Sequence, residues 1–170
     1  MKTIKVILFL LLTIFSAYSG NKLKNGLAIS GGFGNLYGGI GLCLEYQIKV
    51  YPLLRFTPFG SLGFMSPLPN LVIRPTYCAG VNAEIGRFHR LFIGPSFGVQ
   101  YLTYKIEDNG GIYDLRTVIG PALTFGYKGM ARNGIMWQFF LGGCYYINDV
   151  RFPVPYGFAP VFGLGIGYKF

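Results

Sequence analysis

Acidic side chains are scarce in this sequence: Asp and Glu together number 6 in 170 positions, and histidine occurs once. That scarcity removes most of the material for general acid–base catalysis and for metal sites built from carboxylate and imidazole. Charged residues of both signs make up only 12%, too few to clothe a water-facing surface evenly. Ala and Glu, strong helix formers, are sparse. Beyond the first twenty residues no i, i+3, i+4, i+7 apolar spacing persists, so no helix is expected after the N-terminal segment. The three cysteines, Cys43, Cys78 and Cys144, are odd in number and contain no CxxC pair, which argues against a disulfide scaffold and a zinc site. At least one thiol stays free unless it meets another chain, and whether any two pair is open.

What is present is glycine, 26 residues of it, and aromatics at 18%. That balance favours β structure with small residues on a crowded face. The opening MKTIKVILFLLLTIFSAYSG carries Lys2 and Lys5, an apolar stretch over 6–15, and Ala17-Tyr18-Ser19 as a small-x-small cleavage pattern. It reads as a signal peptide over 1–19, leaving 20–170 as one exported domain. The apolar stretch is shorter than the roughly 20 residues that cross a bilayer as a helix, and no cysteine follows closely enough for lipid attachment. Losing Lys2 and Lys5 leaves 13 basic against 6 acidic residues, a net charge of about +7. The charge is scattered and suits an anionic surface such as lipopolysaccharide phosphates; outside the cell, nucleic acid is not an expected partner.

Period-two alternation recurs throughout the remainder and places eight strands, at about 26–34, 36–49, 52–66, 71–86, 88–105, 112–128, 133–147 and 157–170. In the second strand Ile40, Leu42, Leu44, Tyr46 and Ile48 share one face, and Gly39, Gly41, Cys43, Glu45 and Gln47 the other. The fourth opposes Ile73, Tyr77, Val81 and Ile85 to Arg74, Thr76, Cys78, Asn82 and Glu84. The fifth opposes Leu91, Ile93, Phe97, Val99 and Tyr101 to Gly94, Ser96, Gly98 and Gln100; the seventh opposes Ile135, Trp137, Phe139 and Leu141 to Met136, Gln138, Phe140 and Gly142. One face is bulky and apolar, the other small or polar.

In a soluble exported ligand-binding barrel the bulky face would point inward, and the exposed face would carry many charges. Here the small face has too few charges and too many glycines for that role. The inverse arrangement fits: large apolar residues against lipid, small or polar residues filling a narrow interior. Backbone groups in hydrocarbon must all be paired, so a spanning sheet must close. The expected fold is therefore all-β, an eight-stranded antiparallel up-and-down transmembrane β-barrel.

The chain ends in GLGIGYKF, with Phe162, Leu164, Ile166, Tyr168 and Phe170 on one parity and Gly163, Gly165, Gly167 and Lys169 on the other. In this ending, its size and its strand count it resembles the small outer-membrane β-barrel proteins of the eight-stranded OmpA/OmpX-like class, over the whole mature region. The resemblance implies a bacterial outer-membrane location, contact with outer-membrane lipid and lipopolysaccharide, and recognition of the terminal aromatic row by the barrel-assembly machinery. With an even strand count both ends of the domain lie on the periplasmic side. The turns near 50–52, 86–89 and 129–133 are then periplasmic, and 66–71, 106–112 and 148–156 external; the first external turn, at Asn35, is unusually tight. Pro58, Pro75, Pro95, Pro121 and Pro160 fall inside strands with outward parity, where a missing N–H interrupts a ladder; bulges are the expected accommodation.

Few residues suggest chemistry. Glu45, Arg55 and Glu84 have inward parity on adjacent strands near the periplasmic end. Two carboxylates with an arginine between them read more simply as a lumen ion cluster than as a general acid/base pair. Arg74 and Arg116 share that parity nearer the other end. A lipid-modifying barrel enzyme of the lipid A deacylase kind needs a His-x-Ser arrangement at the outer leaflet, whereas the single histidine stands in His89-Arg90-Leu91 at a periplasmic turn. Gly32-x-Gly34-x-x-x-Gly38 is followed by a strand instead of the helix that a dinucleotide loop requires. The inward cysteines lack metal-binding partners, and Trp137, Tyr101, Tyr104, Tyr127, Tyr145, Tyr146 and Tyr168 read as interfacial girdles. No catalytic, cofactor or metal residue is assigned. The role expected is structural, or an interaction with a surface ligand through the external loops. It is not that of a general porin, since eight strands leave no wide channel.

Overall fold

Alternation of bulky and small side chains folds into a single closed antiparallel sheet. The computed structural model describes residues 25–66, 73–106, 112–146 and 157–170; the segment read as a signal peptide and most of the three long turns lie outside these. The strands are β1 (Gly26–Gly34), β2 (Gly39–Lys49), β3 (Leu54–Met65), β4 (Arg74–Gly86), β5 (His89–Ile106), β6 (Ile112–Met130), β7 (Ile135–Tyr146) and β8 (Gly157–Lys169). Each bonds to its neighbours in sequence order, and β8 closes on β1. Among the described residues the only helical element is one 3-10 turn, Asn35–Tyr37.

The closure is staggered. Partners traced from Ala28 run through Glu45, Phe59, Gly80, Ser96, Ala122, Cys144 and Ala159. Ala159 lies beyond the Gly34–Gly163 pair at which β1 has already ended. The strands are thus tilted against the barrel axis, as closure of so few strands requires.

Burial follows parity and is inverted relative to a soluble barrel. Ile40 and Leu62 are each 74% exposed, with Leu91 at 69% and Ile166 at 66%. The largest fully buried side chains are Arg55, Arg90, Tyr37, Lys128 and Lys169. Val99 departs from the expected outward parity: it is buried, because the β5–β6 register shifts between Val99 and Tyr101 and turns that side chain inward.

The prolines are accommodated differently from the expectation. Among the described residues the register shifts only between Val99 and Tyr101 and between Lys105 and Ile106, neither at a proline. Instead, each proline keeps one ladder and sits where the other is interrupted or has ended. Pro58 pairs with Val81 on β4 but falls between Glu45–Phe59 and Ile48–Phe56 on the β2 side. Pro95 pairs with Leu123 but falls between Gly80–Ser96 and Ala83–Ile93. Pro75 precedes the first β4–β5 pair, Pro121 precedes the first β6–β7 pair, and Pro160 lies past the end of β1. A residue's N–H and C=O point to the same neighbour, so a proline removes one side of the pairing and leaves the other intact.

The tight connection between β1 and β2 turns into the barrel. Gly38 closes it at φ 63°, a left-handed conformation open to glycine. Leu36 and Tyr37 are buried and pack with Cys43, Phe59, Cys78, Phe92 and Phe140 in one apolar cluster. The Tyr37 hydroxyl donates to Ser30 Oγ at 3.2 Å and accepts from Gln138 Nε2 at 2.6 Å. Asn35 Nδ2 donates to Gln100 Oε1 at 3.1 Å, and Thr76 donates to the Gly38 carbonyl. Gly32 and Gly165 make room for the Tyr37 ring, since a Cβ on either would collide with it. The glycine stripe is thus the floor on which an aromatic plug rests.

Candidate functional site: a buried ionic layer in the lumen

Beneath the Tyr37 plug, toward the end where β1 begins and β8 finishes, the inward positions become charged. Lys128 of β6 donates through Nζ to Glu45 Oε2 of β2 and Glu84 Oε1 of β4, both at 2.7 Å. Arg90 of β5 donates through Nη1 to Glu84 Oε2 and to Gln47 Oε1, both at 2.9 Å. Arg90 Nε donates to the Arg87 carbonyl at 2.9 Å. Lys128 Nζ also stands 5.8 Å from the Phe92 ring centroid and joins this layer to the apolar one above. Ala28, Met130, Met136 and the half-buried Phe88 pack as a small apolar cluster of their own.

Removing such charges from water costs several kcal/mol per ion, recovered only where geometry and hydrogen bonds are good. Glu84 meets that condition through two cations, and Glu45 through Lys128. The arrangement ties β2, β4, β5 and β6 across the lumen. Glu45 is 2% exposed and Glu84 0%, so both carboxylates are closed off from solvent.

The placements of the sequence-derived residues are mixed. Glu45, Arg55 and Glu84 are all inward and buried, and Arg55 lies directly across from Glu84 in the β3–β4 register. Lys128, and not Arg55, bridges the two carboxylates; Arg55 Nε and Nη1 make no hydrogen bond. The reason is reach inside the barrel, since β6 stands opposite β2 in the closed ring and only two strands from β4. Lys128 and Arg90 were legible as inward residues by the same parity that marks Tyr127 and Leu91 as outward. Their ion-pair partners depend on closure.

Arg74 is exposed at the first position of β4 and adds nothing to the interior, while the Arg116 side chain lies outside the described ones. Cys43, Cys78 and Cys144 are buried free thiols. Among the described residues no group of three or more His, Cys, Asp and Glu side chains is placed to hold a metal ion.

On the outer wall, Phe162, Leu164, Ile166 and Tyr168 stand exposed in a row, and Phe170 is half-buried with its ring edge-on to Tyr168 at 5.0 Å. Phe170 also donates its backbone N–H to the Leu27 carbonyl at 3.0 Å. Nearby aromatics gather at the same end of the barrel. His89 contacts the Tyr127 hydroxyl, and Tyr127 stacks on Phe139 at 5.4 Å. No helix among the described residues is long and apolar enough to cross a membrane. No protein-family model matches the chain, and no curated protein matches it significantly.

Proposed function

We propose that this protein is an integral barrel of the bacterial outer membrane, of the small OmpA/OmpX-like kind, with a filled lumen and a structural or surface-interaction role. The observation that carries the reading is the inverted burial: side chains such as Ile40, Leu62, Leu91 and Ile166 are among the most exposed, while Arg55, Arg90 and Lys128 are among the most buried. In water, exposed apolar area costs about 25 cal/mol per Å² relative to burial, and contiguous apolar patches beyond a few hundred Å² are rare on soluble monomers. In lipid the same wall is favourable and the ionic interior is sheltered. Its partners are outer-membrane lipid and lipopolysaccharide, a surface ligand at the long turns, and the barrel-assembly machinery acting on the terminal aromatic row.

A lumen occupied by Tyr37, Phe59, Phe92, Phe140 and the ionic layer leaves no path of porin width. The role proposed is non-enzymatic. The test is fractionation of the native host, with gel mobility compared before and after heating. Sedimentation with the outer membrane and a heat-dependent shift are expected; recovery in the aqueous phase without detergent would sink the proposal.

A further inference from the structure

Arg55 is the anomaly of the ionic layer. Its side chain is 1% exposed, yet Nε and Nη1 have no hydrogen-bond partner. The carboxylate across from it, Glu84, gives one oxygen to Lys128 and the other to Arg90. On its other side the register places Lys49, a further cation. Even with Lys169 set aside, Arg55, Arg90 and Lys128 outnumber Glu45 and Glu84 among the described inward charges. A guanidinium cannot shed its proton to relieve this, and an unpaired buried charge is strongly unfavourable.

Two polar groups beside Arg55 are orphaned as well. Arg90 donates to Gln47 Oε1, which fixes the amide orientation and leaves Gln47 Nε2 without an acceptor. Thr57, two residues along β3 and so on the same face, has a buried hydroxyl with no partner. The unpaired groups on this β2–β3 surface thus match an acceptor that carries negative charge. A guanidinium with unpaired donors, an amide donor and a hydroxyl form a donor set suited to a tetrahedral or planar oxyanion.

We infer that Arg55, Gln47 and Thr57 form a lumen site for a small free oxyanion of the phosphate class. Its source is the aqueous phase and not a lipid headgroup, because all three side chains point inward while Phe56 and Ile48 face out. The site depends on the lumen alone and stands whatever medium surrounds the wall.

The test uses the full domain refolded in a maltoside detergent, with Tm followed as inorganic phosphate is titrated at ionic strength matched by sodium chloride. A saturable rise of a few degrees specific to phosphate is expected, as for any ligand that binds only the folded state. Gln47→Glu keeps the acceptor for Arg90 and supplies a resident carboxylate to Arg55. That variant should start from a higher Tm and lose the phosphate response. Arg55→Met should lose the response too, and where it fails to fold, Gln47→Glu decides alone. Phosphatidylglycerol doped into the micelles at the same phosphate concentration should give no rise. Equal responses to phosphate and chloride, a phosphate response retained in Gln47→Glu, or a response to the lipid alone would each overturn the assignment.

Discussion

Tyr37 shows how one side chain constrains several strands. Its ring enters the lumen from a turn, and the positions facing it on β1 and β8, Gly32 and Gly165, have no room for a methyl group. Read in the sequence, Gly165 belongs to the small residues that fill a narrow interior, which is correct but incomplete; the aromatic that makes it necessary comes from a turn that alternation treats as a mere connection. Gly165→Ala should therefore destabilise the barrel by about 1–3 kcal/mol, the usual cost of overpacking, in urea titrations of detergent-refolded protein. In a Tyr37→Ala background that penalty should largely vanish. Strict additivity of the two substitutions would show that the ring and the glycine do not share the space. Lys128 illustrates the converse limit, for its inward parity is plain from Phe125 and Tyr127, yet nothing local ties it to Glu45, 83 positions away.

At the level of elements, the strands were legible because period-two alternation persists through most of them, and the observed bounds differ from the expected ones by a few residues. The prolines were the obstacle, since a barrel offers no free edge on which to place them. The sheet resolves this by letting single ladders lapse. β3 keeps its pairing with β4 across Pro58, and β5 keeps its pairing with β6 across Pro95. A lapse is thus tied to position, and the same residue elsewhere should not be tolerated. Pro95→Ala is expected to change stability by no more than about 0.5 kcal/mol. Ile93→Pro, at a position paired with both Ala83 and Phe125, should cost about 3 kcal/mol or prevent folding. Similar urea midpoints for the two variants would refute the idea that ladder gaps are what admit proline.

For the whole molecule the decisive variable is which face of the sheet points outward, and this sets how the terminal row is to be tested. Phe170 donates a backbone bond to Leu27 and meets Tyr168 edge-on at the margin of a sheet held by eight ladders. If its proposed role lies in assembly, Phe170→Lys should reduce the heat-modifiable, membrane-inserted fraction in cells while refolding in detergent remains near normal. Equal yields in cells would remove the terminus from the proposal. The sequence by itself determined the all-β class, the strand order and the inward or outward sense of nearly every position, because side-chain direction in a strand is a local consequence of backbone geometry. Only the tertiary structure decided that the Asn35–Tyr37 turn fills the lumen, that Lys128 and not Arg55 bridges Glu45 and Glu84, and that Arg55 is left without an acceptor. Those are contacts across a closed, staggered cylinder, and their distances depend on the pairing of every strand between them.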